Sequence, residues 1–124
     1  MKAIFGNGQS VEYLRAVETE EYWGGSSRRT LTFTCAANAC GVDALNEILG
    51  EADNVRTLAL ENEELGVTNC YEGYTMKLSV GVARELAQPE SPDSPAVYED
   101  RLVFKLGMPT FIERQLQRLG IGVA

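Results

Sequence analysis

Apolar and polar positions alternate most clearly over Thr30 to Cys35, with Leu31, Phe33 and Cys35 on one face and Thr30, Thr32 and Thr34 on the other. Period two with β-branched residues on the wet face predicts a half-buried strand. Two longer runs carry the same signal. Tyr74, Met76, Leu78, Val80 and Val82 alternate with Thr75, Lys77, Ser79 and Gly81. Over Val97 to Leu106, Tyr98, Asp100, Leu102, Phe104 and Leu106 share one face, and Glu99, Arg101, Val103 and Lys105 the other. Shorter strands are expected at Ile4-Phe5, over Val11 to Val17, over Val55 to Leu60, and over Val67 to Tyr71 ahead of Gly73. Gly6-Asn7-Gly8 and Tyr22-Trp23-Gly24-Gly25-Ser26-Ser27 read as turns, because Gly and Asn accept the positive φ that tight turns need. The acidic stretch Glu18 to Glu21 reads as loop or strand edge.

The period changes to a helical one twice. Val42, Leu45, Ile48 and Leu49 predict a short amphipathic helix over about 41–49, with Gly50 as a left-handed cap. Thr110-Phe111-Ile112-Glu113 has capping-box spacing and opens a second helix over 110–119, with Ile112, Leu116 and Leu119 as its apolar stripe. Gly120 is expected to stop that helix and 121–124 to fray. The segment 88–95 holds three of the four prolines and no other apolar residue, which predicts an exposed, mobile Pro-rich loop that contributes little to folding. Strands in consecutive runs point to antiparallel pairing. The expected fold is α+β and mainly antiparallel β, a β-sandwich or barrel-like domain with one central helix and a C-terminal helix. At 124 residues, the chain 1–124 reads as a single domain.

Composition narrows the chemistry. Hydrophobic residues make up 44% and charged residues 23%, which is globular and argues against disorder. Lys and Arg number 11 against 18 Asp and Glu, a net charge of −7 that disfavours nucleic acid and anionic membrane surfaces as partners. There is no histidine. The commonest general base and the commonest zinc ligand are therefore missing, and Ser-His-Asp and Cys-His arrangements cannot form within one chain. The three cysteines, Cys35, Cys40 and Cys70, do not resemble a secreted disulfide framework. They read as a core strand residue and two small apolar fillers, with a Cys35–Cys40 disulfide or half of a metal site as alternatives. No apolar run suggests a signal peptide or a membrane span, so the expected location is the cytoplasm or a virion assembled there.

No catalytic, cofactor-binding or metal-binding residues stand out. The glycine turns lack the strand-glycine-helix context and the lysine of a phosphate cradle. Glu20-Glu21, Glu63-Glu64 and Glu99-Asp100 read as solvated surface rather than acid/base pairs or a calcium loop. The one candidate surface is Tyr22 and Trp23 beside a glycine turn, with Arg28 and Arg29 close by. Aromatics and arginine are what protein interfaces concentrate. The competing reading makes Trp23 a buried anchor.

In order along the chain, Ile4-Phe5-Gly6-Asn7-Gly8, Tyr22-Trp23-Gly24-Gly25-Ser26-Ser27-Arg28-Arg29-Thr30-Leu31-Thr32-Phe33, Val42 to Leu49, Tyr71-Glu72-Gly73-Tyr74-Thr75, Val97 to Val103 and Thr110 to Leu116 resemble the layout of small structural proteins of phages and prophages of Gram-positive bacteria. The resemblance implies a tail- or baseplate-associated component: antiparallel strands around one helix, no enzymatic activity, no cofactor, and other protein subunits, self or tail proteins, as partners. The alternative is a small cytoplasmic ligand-binding or regulatory β domain unrelated to phage.

Overall fold

A computed structural model describes residues 1–119. Its elements are β1 (Lys2–Ile4), β2 (Ser10–Glu12), β3 (Arg15–Trp23), β4 (Ser26–Ala36), α1 (Val42–Gly50), α2 (Ala52–Val55), β5 (Thr57–Asn62), β6 (Val67–Glu72), β7 (Met76–Gln88), β8 (Val97–Gly107) and α3 (Phe111–Arg118). The strands form two four-stranded sheets, ordered β2-β1-β5-β6 and β3-β4-β8-β7, and every pairing is antiparallel. The fold is thus mainly antiparallel β with three short helices. Neither sheet closes on itself, so the barrel-like version of the expectation is not met.

One apolar cluster joins the sheets. Ala3, Val11, Leu58 and Leu60 come from the first sheet, and Leu31, Phe33, Cys35, Leu102, Phe104 and Leu106 from the second. Phe33 and Phe104 lie directly opposite each other on β4 and β8, their rings stacked at 4.6 Å, and Tyr13 meets Phe33 edge-on at 5.5 Å. The residues that β4 and β8 give to this core are those that the alternation singled out, but Thr30 and Thr34, read as the wet face of β4, are buried as well, so β4 is covered on both sides.

Four local outcomes have physical causes: three depart from the sequence reading, and for Glu18 to Glu21 the strand-edge alternative holds over the loop. The stretch read as one strand over Val11 to Val17 is two, because the chain leaves the first sheet after Glu12 and joins the second at Arg15. Glu18 to Glu21 lie inside β3, an edge strand, where charge discourages unwanted pairing. Gly50 ends α1 without entering the left-handed region; the C-cap is the extended Glu51, whose amide reaches the Ile48 carbonyl. The expected strand over Val55 to Leu60 starts late, because Val55 closes the single turn α2 and β5 begins at Thr57. Asn54 holds this helical corner by donating to the Ile48 carbonyl at 3.0 Å. Gly6 docks against the same corner, and a Cβ on it would lie 2.5 Å from the Asp53 carbonyl oxygen.

In β7 the alternation is interrupted. Lys77 pairs with Leu106 and Ser79 with Lys105, which leaves Leu78 as an extra residue in a bulge. Its side chain is directed over Gly107, where a Cβ would lie 2.8 Å from Leu78 Cδ1 and 3.1 Å from Arg28 Cδ. The run that placed Leu78 with the core face therefore divides at this point.

Candidate functional site

The structure separates the four residues singled out as an interface. Tyr22 is 75% exposed near the end of β3. Trp23 is half-buried, its Nε1 donating to Glu21 Oε1 at 3.3 Å and Lys105 Nζ lying 5.5 Å from the ring centroid. Lys105 also donates to Glu21 at 2.8 Å, and this contact leads in holding the Glu21 carboxyl below its ordinary range. Trp23→Ala is accordingly expected to cost about 1–2 kcal/mol, below the 3–5 of a fully buried large aromatic, as read by thermal melts.

Arg28 is 3% exposed and belongs to the interior. Its Nη1 donates to Glu113 Oε1 at 2.6 Å, and its Nη2 to Glu113 Oε2 at 3.3 Å and to the Trp23 carbonyl at 3.0 Å. Nε reaches the same carbonyl at 3.2 Å. This guanidinium is occupied within the chain and does not face a partner. It latches α3, the Gly24-Gly25 turn and the end of β8 together. The expected capping box completes the latch: the Thr110 amide donates to Glu113 Oε1 at 2.8 Å, and the Glu113 amide to Thr110 Oγ1 at 3.3 Å. Arg28 leads in lowering the Glu113 carboxyl to about 2. The apolar stripe expected to seat α3 is not buried: Ile112 and Leu119 are exposed and Leu116 is half-buried.

Arg29 stays at the surface and donates to Glu18 Oε1 at 2.6 Å, while the Tyr74 hydroxyl donates to Glu18 Oε2 at 2.5 Å. Burial, followed by that bond, pushes the Tyr74 hydroxyl up from its usual value. All three cysteines are free thiols. Cys35 is in the core, where burial raises its thiol to about 11 and makes it inert. Cys40 is half-buried, whereas Cys70 is exposed on β6 and fills no core gap.

An exposed feature that the sequence reading did not join is formed by the outer halves of β7 and β8 with the Pro-rich segment. β4 pairs with β8 only from Arg101 onward. Beyond that row β7 and β8 pair with each other alone, through Arg84–Asp100, Glu85–Glu99, Leu86–Tyr98 and Gln88–Val97. The result is a two-stranded arm. One face carries Leu86 and Tyr98, 48% and 52% exposed, with Arg84 set 6.0 Å from the Tyr98 ring centroid, and Val82, 59% exposed, continues it on β7 at the base of the arm. On the other face Arg101 donates to Glu85 at 3.1 Å and to Glu99 at 2.7 Å, and Arg15 pairs with Glu85. Arg15, followed by Arg101, holds the Glu85 carboxyl below its ordinary range.

The Pro-rich segment over 88–95, exposed as expected, forms the tip of this arm. Ser91 and Ser94 close it into a turn, with amide-to-carbonyl bonds of 2.9 and 3.3 Å and a hydroxyl contact of 2.9 Å. At the other end of β8, two shallow clefts of about 310 and 460 Å³ share Met108 and Arg114. Arg29 and Glu20 border the first, Arg56 and Glu72 the second. A third cleft of about 520 Å³ lies between the start of β1 and the end of β4, lined by Met1, Glu12, Tyr13, Leu14 and Asn38 among others.

Among the described residues, no three His, Cys, Asp or Glu side chains gather as a metal site, and no helix is long and apolar enough to cross a membrane. Comparison of the chain with family models, with curated proteins and with solved structures gives no match.

Proposed function

We propose that this chain is a non-enzymatic structural subunit that assembles with other protein subunits through its β7–β8 arm. The observation that supports this reading is the arm itself. A two-stranded hairpin is marginal in water unless a partner covers it. This one presents half-exposed Leu86 and Tyr98 on one face, beside the exposed Val82 at its base, and full burial of such side chains returns roughly 1 kcal/mol each. The two sheets, read as a sandwich around the shared core, form the rigid body from which the arm extends. The long edge strands β3 and β7 offer further backbone pairing to neighbours. The role fits a tail- or baseplate-associated component of a phage or prophage, the group that the sequence layout resembles, acting in the host cytoplasm or in the virion.

The cleft beside Met1 and Tyr13 supports a second reading, a small ligand-binding or regulatory domain. Neighbouring genes separate the two: tube, tape-measure or lysis genes favour assembly, and metabolic genes the ligand-binding domain.

The direct test removes the arm. Deleting Glu85–Glu99 and joining Arg84 to Asp100 through Asn-Gly uses the turn that best matches antiparallel strand twist. The shortened chain is expected to melt within a few degrees of the native one and to weaken subunit association at least about tenfold, a loss of roughly 1.4 kcal/mol. Light scattering on a sizing column reads both species. Association that survives the deletion unchanged overturns the reading.

A further inference from the structure

β8 is the axis on which the subunit is polarised. Its first residue, Val97, stands at the arm, and its last, Gly107, leads directly into Met108, Pro109 and the latched helix α3. Eleven residues of extended chain separate these ends by roughly 35 Å.

The ends differ in charge. From residue 85 to residue 100 the chain carries Glu85, Glu90, Asp93, Glu99 and Asp100 and no basic residue. Glu85 and Glu99 are engaged by arginines at the base of the arm, and Asp100 lies opposite Arg84. Glu90 and Asp93, at the tip, are exposed and make no ion pair among the described residues.

The far end is the reverse. Arg114 borders both clefts there and is likewise without an ion pair among the described residues. Arg29 and Arg56 flank it, their side chains more than half exposed although they hold Glu18 and Asp53. Glu20 and Glu72 are the opposing charges on the rim. Met108 and Pro109 supply an apolar floor that suits the prolines of the tip.

We propose that the arm tip of one copy docks into the Arg114 clefts of the next, with Glu90 and Asp93 meeting the exposed arginines. This rests on the assembly reading and adds the partner, a second copy of this chain, and the polarity, head to tail. A contact between unlike surfaces is heterologous, so it propagates into a ring or a filament instead of stopping at a dimer. The charged contact is at a rim, which makes it sensitive to salt.

The experiment uses the full chain in three forms: native, E90Q/D93N, and R114Q. Sedimentation velocity over a concentration series at low and moderate salt follows association. The native chain is expected to associate, less so as salt rises. Each variant alone is expected to associate at least about tenfold more weakly. Mixed one to one, the variants are expected to form dimers and nothing larger, because the intact arm of R114Q fits the intact clefts of E90Q/D93N. Native association that neither variant weakens overturns head-to-tail docking and leaves arm-mediated assembly standing. A mixture that stays monomeric while the native chain associates also overturns it. A native chain that remains monomeric throughout overturns head-to-tail docking and leaves only assembly with a different subunit.

Discussion

Replacing Glu113 with alanine is expected to cost about 3–5 kcal/mol of folding stability, because it strands a buried charge. The Arg28 side chain is 1% exposed and that of Glu113 is 17%. Without Glu113 the guanidinium retains the Trp23 and Met108 carbonyls but no anion. The same substitution removes half of the capping box, so α3 loses its cap and its tether together. Removing both partners, R28A/E113A, is expected to cost less than the sum of the single changes, since no charge is left unpaired.

The pair also fixes an acid limb of stability. The Glu113 carboxyl titrates near 2 in the folded chain, against 4.5 unperturbed. A lowered folded value means that the contribution is complete above about 4.5 and is lost as pH falls toward 2. Urea titrations across that window are therefore expected to show the native chain losing stability more steeply than E113A. Parallel slopes would remove the latch from the account.

The second large effect is in the core. Phe33→Ala is expected to cost about 3–5 kcal/mol, a large part of the 5–15 kcal/mol typical of a domain. Phe33 is fully buried on β4, stacked on Phe104 and met edge-on by Tyr13. The truncation empties the place where both sheets meet, and the tightly paired strands on either side restrict collapse into the cavity. Phe33→Leu keeps most of the volume and is expected to cost clearly less. Denaturant melts separate the two. Equal losses for both would mean that the aromatic stack does not organise the core.

These sites show how far the sequence could be read. Phe33 and Phe104 were legible because period-two patterning is local, and an apolar face alternating with polar residues shows within six residues. The capping box was legible for the same reason, as Thr110 and Glu113 are three residues apart. The ion pair was not. Arg28 and Glu113 are 85 residues apart, and nothing near Arg28 marks it as the arginine that turns inward while Arg29 stays out. A basic pair beside aromatics looks the same in sequence whether it meets a partner or a helix of its own chain.

The arm was hidden by a different effect. Its β8 strand falls within the run over Val97 to Leu106, but the other run stops at Val82, short of the arm's half of β7, and alternation does not reveal where a sheet runs out of neighbours. Tyr98 and Leu86 have the same phase as Leu102 and Val82, yet of these four only Leu102 is buried: Val82 lies on an edge strand, and the outer pair lies beyond the last row that β4 covers. A Pro-rich segment of eight residues between two long strands was the available sign of a hairpin tip. Leu78 was misplaced by the bulge, which a period-two pattern cannot register until the partner strand is known.

The central claim is assembly through the arm, and sedimentation velocity of the native chain beside the arm-deleted chain tests it most directly. The native chain is expected to sediment faster as concentration rises at low salt, with the arm-deleted chain a folded monomer at every concentration. Association that persists unchanged in the arm-deleted chain would contradict it, and two chains that both stay monomeric would remove self-assembly.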